Sequence, residues 1–155
     1  MLWPMQRAWL WLVLASLMTW TGAASAASGK VLKVLPHFLD LKGKHTEAPS
    51  LYERDAYQTY LRRNPEKRSA LRFDVQWRAF GASNLKLRLE IRGMKEKTPT
   101  NLTLETEMKK NGWFEKWAVL NLAGEAYKNF GELSAWRATL WDGDKLLSEQ
   151  KSFLW

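Results

Sequence analysis

The sequence predicts an all-β chain, an antiparallel two-sheet sandwich of about seven strands with one short helical insertion. Three observations lead there. After Ala70, apolar and polar residues alternate with period two through two successive runs, the mark of strands with one wet face and one dry face. The runs are short, are separated by turn residues, and never alternate with helices in the way a parallel sheet demands. A single segment, Ser50 to Arg63, repeats its apolar residues at helical spacing.

The first 26 residues read as something other than the fold. Met1 to Arg7 carries one positive charge, Ala8 to Thr21 is an apolar run rich in Leu and Trp, and Ala24-Ser25-Ala26 offers small residues where a signal peptidase cuts. The expectation is a secretory signal removed after Ala26, leaving residues 27–155 as one β-sandwich domain that is periplasmic or secreted. An uncleaved N-terminal membrane anchor is the alternative; the run is short for it, since a span needs roughly 20 apolar residues. The chain has no cysteine, which excludes a lipid-modified N-terminus and any disulfide, even in an oxidising compartment. Loss of the signal removes Trp3, Trp9, Trp11 and Trp20 from the ten tryptophans and takes the formal net charge from +8 to near +7. About 129 residues would remain, enough to bury a core without covalent help.

Lys30 to Pro36 is apolar and β-branched and suits a first strand ended by Pro36. His37 to Pro49 mixes packed-looking Phe38, Leu39 and Leu41 with exposed-looking Gly43, Lys44 and His45, and reads as an irregular rim. In the helical segment Ser50 and Glu53 have capping-box spacing, Tyr52, Ala56, Tyr57, Tyr60 and Leu61 share a side, and Asn64-Pro65 ends it. Leu71, Phe73, Val75, Trp77 and Ala79 then alternate with Arg72, Asp74, Gln76 and Arg78. Leu85, Leu87, Leu89 and Ile91 alternate likewise with Lys86, Arg88, Glu90 and Arg92. These two strands either pair directly through Ala82 to Asn84, setting Asp74 against Arg92 and Gln76 against Glu90, or sit in opposite sheets; periodicity allows both. Leu102, Leu104, Thr106 and Met108 repeat the alternation, and Asn111-Gly112 marks a turn. Trp117 to Leu122 is apolar on both faces, which predicts a central strand. Gly124 and Gly131 bracket a loop. Leu133 to Trp141 and Lys145 to Trp155 form a final hairpin, for which a loop of Asp142 to Asp144 matches Leu140 with Leu146, Arg137 with Glu149 and Leu133 with Phe153.

Gly131-Glu132-Leu133, Trp136 to Leu140, Asp142 to Leu147 and Ser152-Phe153 resemble the last two strands of bacterial immunoglobulin-like domains. With His37 to Asp40 and Leu51 to Tyr57 included, residues 27–155 also resemble a set of small exported bacterial proteins of unassigned function. The resemblance implies an immunoglobulin-like antiparallel β-sandwich and brings no catalytic residue with it.

Chemistry has little to build on. There is no Cys, there are two His, and no Ser sits in a Gly-x-Ser-x-Gly elbow, so a nucleophile-and-base hydrolase is not expected. His37, Asp40 and His45 could form a metal trio or an enzyme site, but their spacing matches no standard site and Lys42 and Lys44 lie between them. Glu105 and Glu107 share a strand face and read as its solvated side rather than as an acid–base pair. Asp142 and Asp144 read as turn residues before calcium ligands. Trp77 and Trp136 lie on apolar registers and belong to a core, whereas Trp113, Trp117, Trp141 and Trp155 are harder to place; exposed aromatic rings would grip sugars. Arg72, Arg78, Arg88 and Arg92 make the outward faces of the two clearest strands basic, which favours an anionic partner.

The function these features predict is a non-catalytic, exported binding or structural domain that contacts an envelope protein or an anionic glycan. Its surface would be drawn from Arg72, Arg78, Arg88, Arg92, Trp113, Trp141 and Trp155. A carbohydrate-binding module using exposed tryptophans is the alternative, and an enzyme or metal site at His37, Asp40 and His45 the second. No cofactor, no nucleic acid and no membrane span beyond the signal are expected. A terminal Trp155 can mark an outer-membrane barrel strand, but Lys151 and Glu149 occupy positions that a barrel keeps apolar.

Overall fold

Where the sequence alternates, the chain is strand. The computed structural model describes residues 27–108 and 112–155; the expected signal segment and Asn111 of the Asn-Gly turn lie outside the described residues. In chain order the elements are β1 (Ser28–Asp40), α1 (Leu51–Arg63), a 3-10 turn (Pro65–Lys67), β2 (Arg68–Phe80), β3 (Leu85–Lys95), β4 (Thr98–Met108), β5 (Gly112–Ala123), α2 (Gly124–Phe130), β6 (Glu132–Asp142) and β7 (Lys145–Lys151). They build two antiparallel sheets, β1-β2-β5 and β4-β3-β6-β7. The all-β antiparallel sandwich is therefore the fold, with two helices in place of the one expected.

β2 and β3 lie in opposite sheets, so none of the pairs drawn for a direct hairpin forms. Their dry faces meet across the interior instead: Phe73, Val75 and Trp77 from one, Leu87, Leu89 and Ile91 from the other, none more than 3% exposed. Asp142 fastens the crossover. Its Oδ1 accepts the N–H of Ser83 (3.1 Å) and of Asn84 (2.8 Å), a turn-organising role.

Five expectations need correction. Pro36 does not end β1, which runs on to Asp40; β1 is an edge strand, so the missing N–H of Pro36 costs the sheet no ladder bond. β5 is also an edge, not central: among the described residues it pairs only with β2, and Trp117 and Val119 on its outer side are 51% and 46% exposed. Apolar residues on both faces look the same in sequence whether the second face is covered or bare. Gly124 to Phe130 is helix rather than loop, and it turns Tyr127 and Phe130 onto the core. On α1 the buried face is rotated from the one expected: Leu61 is fully buried and Tyr57 and Gln58 are half-buried, while Tyr52 and Tyr60 are exposed and Ser50 makes no side-chain cap bond.

The last correction is the β6–β7 register. Gly143, at φ 56°, opens a two-residue turn between Asp142 and Lys145, and Leu147 is then an extra residue that sets Leu140 opposite Ser148 and Arg137 opposite Lys151. The bulge lets Leu147 join the core, which the simpler register would have given up. Arg137 still reaches Glu149, on the diagonal, at 3.7 Å.

Candidate functional site

At the end of the sandwich where β1 finishes, the chain leaves the sheet, turns through residues 41–50 and returns as α1. Two side chains lock this return to the strand. The Gln58 amide accepts the N–H of Phe38 (2.8 Å) and donates to the Phe38 carbonyl (2.9 Å), so a side chain fills the hydrogen-bonding edge that a further strand would otherwise take. Arg68 is 7% exposed and donates to the Leu61 carbonyl (2.5 Å), to the Arg62 carbonyl and to Glu132 (2.5 Å), and its guanidinium lies 4.1 Å from the Phe38 ring centre. The last carbonyls of α1 thereby receive a cationic donor.

Between the turn and the helix is a cleft of about 460 Å³ lined by Asp40, Leu41, Lys42, Lys44, Glu47, Tyr57, Tyr60 and Lys67. Asp40 organises its floor: the carboxylate accepts the N–H groups of Lys42 and Lys44, each at 2.8 Å, and the Tyr57 hydroxyl at 2.7 Å. Burial raises the Asp40 carboxyl, but the hydrogen bonds from Lys44, Tyr57 and Lys42 outweigh it and hold it below its ordinary value. The same bond, with burial second, pushes Tyr57 up to about 12, so it stays a neutral phenol. Tyr57 and Tyr60 stack with ring centres 6.0 Å apart and form one wall. Among the described residues no carboxylate lies within ion-pairing distance of Lys42, Lys44 or Lys67. The cleft therefore offers three ammonium groups outside ion-pairing distance of its own two carboxylates, Asp40 and Glu47, beside an aromatic wall, a combination suited to an anion carried on an apolar or ring-shaped body.

The proposed metal trio does not converge there. His37 is 7% exposed on the outer side of the three-stranded sheet, beneath residues 41–50, with Nε2 3.7 Å from Asp74 and its ring 5.3 Å from that of His45. Burial lowers its pKa first; Asp74 opposes that, and His45, Arg54 and Arg72 reinforce it. Asp40 has both oxygens engaged by Tyr57 and backbone donors, and among the described residues no three His, Cys, Asp or Glu gather around one point.

The basic surface splits in two. Arg72 and Arg78 lie on the outside of the three-stranded sheet, Arg72 bonded to Asp74 at 2.8 Å. Arg88 and Arg92 lie on the outside of the four-stranded sheet, where Arg88 bonds Glu105 at 2.5 Å and lies over Trp141 at 5.5 Å. Trp155 is clasped by Arg92 at 3.9 Å and Arg137 at 4.9 Å. Both tryptophans are thus half-buried with a guanidinium against the ring, and the side chain of Trp113 lies outside the described residues. Glu105 is held below its ordinary pKa by the Arg88 hydrogen bond above all, with Lys86 adding to the effect, as a structural partner rather than a proton donor. Sequence reasoning missed Lys42, Lys44, Lys67, Tyr57 and Tyr60 as a group; the signal was the two lysines flanking Gly43 beside a helix unusually rich in tyrosine.

No protein-family model and no curated protein matches the chain. Among solved structures it is similar to a protein of Akkermansia muciniphila known from a crystal structure, with a TM-score of 0.55 at 9% identity over 81% of this chain and 69% of that one. At that identity the likeness is one of fold.

Proposed function

We propose that this chain is a non-catalytic, exported binding domain of immunoglobulin-like topology that holds an anionic envelope glycan in the cleft between β1 and α1. The strand order supports the topology: it differs from the seven-strand constant-type immunoglobulin arrangement in one strand, β4, which joins β3 instead of completing the β1-β2-β5 sheet. The observation that carries the binding reading is the set of three lysines facing the stacked tyrosines. A sugar ring would lie against Tyr60, which is 46% exposed, while its acidic group meets the ammonium groups. The tryptophan platform is the weaker reading, because the Trp141 and Trp155 rings are already engaged by arginines.

Titration with a uronic-acid oligosaccharide, followed by calorimetry, tests the proposal. Exposed charge contacts of about 0.5 kcal/mol each predict that K42A/K44A/K67A weakens binding about tenfold and that raising the salt erodes the difference. Equal affinity of the triple variant and the parent would sink the proposal. Binding that an envelope protein supports and the oligosaccharide does not would replace the glycan as partner.

A further inference from the structure

The opposite end of the sandwich carries a different surface. Lys30 near the start of β1 stands directly across from Arg78 near the end of β2, and both are exposed. Like charges at opposed positions destabilise a sheet, and among the described residues no carboxylate pairs with either side chain. Beside them, aromatic rings face solvent: Phe114 near the start of β5 is 84% exposed and Phe80 at the end of β2 is 37% exposed. Two neighbouring cations outside ion-pairing distance of any described carboxylate, next to exposed phenyl rings and with the nearby Glu115 bonded to Gln76, are unfavourable in water and complementary to a negatively charged interface that also admits apolar groups. The chain enters β1 at this same end, so the apolar run Ala8 to Thr21 is joined to the domain here.

We infer that this end docks on an anionic bilayer surface, with Phe114 and Phe80 entering the headgroup layer and Lys30 and Arg78 meeting lipid phosphates. β1 has 13 residues and is about 40 Å long at the rise of an extended strand, so the cleft between β1 and α1 would be held that far from the membrane. The inference stands independently of the glycan reading.

Vesicle co-sedimentation of the full chain decides it, comparing phosphatidylglycerol–phosphatidylcholine vesicles with pure phosphatidylcholine at low salt. The readout is the excess binding to anionic vesicles, because an attached apolar segment would bind both kinds. The parent should show that excess, and K30E/R78E/F114S should reduce it at least tenfold. K30E/R78E keeps a like-charge pair and K30Q/R78Q removes charge altogether, so a loss common to both is electrostatic rather than a folding defect. K42A/K44A/K67A should retain the excess. The inference is overturned by a parent without the excess, by an excess that survives K30E/R78E/F114S, or by an excess lost in the cleft variant.

Discussion

On the four-stranded sheet the outer face is a ladder of partly exposed charges, whereas on the three-stranded sheet the outer face is closed at one end by a helix hung from a few buried polar groups. In the ladder partners are shared: Glu105 meets Arg88 and Lys86, Glu149 meets Arg137 and Lys151, and Arg137 also meets Glu90. Under α1 there is less redundancy. Arg68 serves the Arg62 carbonyl and shares that of Leu61 with the Asn64 N–H, and Gln58 alone fills the edge at Phe38. Redundant pairs in water contribute little each, while a single buried donor is costly to remove because its acceptors are left without partners.

The largest effect should therefore come from Arg68→Ala. It strands the Arg62 carbonyl, leaves that of Leu61 with the Asn64 N–H alone, leaves Glu132 unpaired and removes the cation from the face of Phe38. A loss of about 3 kcal/mol is expected from urea unfolding, with α1 showing the fastest hydrogen exchange in the variant. A loss below about 1 kcal/mol would break the contrast, since it would make the buried anchor no more important than a surface pair.

A smaller effect should follow pH. His37 faces Asp74 and Arg72 on the sheet, His45 in the turn and Arg54 on α1, and its pKa in the folded protein is below the ordinary 6.5. Between 6.5 and that lowered value the unfolded chain binds the proton and the folded chain does not. Stability from His37 is thus complete above 6.5 and falls as the pH drops through that window. Unfolding midpoints measured from pH 7.5 to 5 should decline in the parent and decline less in His37→Gln. A parallel decline in both would assign the dependence elsewhere.

The strands were legible because burial on one face leaves a period-two signature, and β2 and β3 show it without interruption. What could not be read was anything decided by a neighbour absent from the local sequence. Whether Trp117 and Val119 were covered depended on which strands flank β5; whether Pro36 ended β1 depended on its being an edge. The bulge at Leu147 answers to the core on the other side of the strand, and no side-chain pairing along β6 and β7 could have shown it. Asp40 was noticed for its carboxylate and belongs to the candidate cleft, but as its organiser. The lysines there were set aside as charges opposing a metal, which they are, and that same property makes the cleft suited to an anion.

The smallest effect should be on the ladder itself. Glu105→Gln removes the charge that Arg88 and Lys86 share, yet the glutamine oxygen still accepts the Arg88 N–H and the strands remain joined by their backbone bonds. With the side chains 38–42% exposed, water replaces most of what is lost, and a change of about 0.5 kcal/mol is expected by urea unfolding, shrinking further in high salt. Arg88 would then be freer to settle over Trp141, which a change in tryptophan fluorescence would register without a matching change in stability. A loss approaching that of Arg68→Ala would mean that the ladder acts as a cooperative network, and the two sheets would then hold their outer faces by the same means.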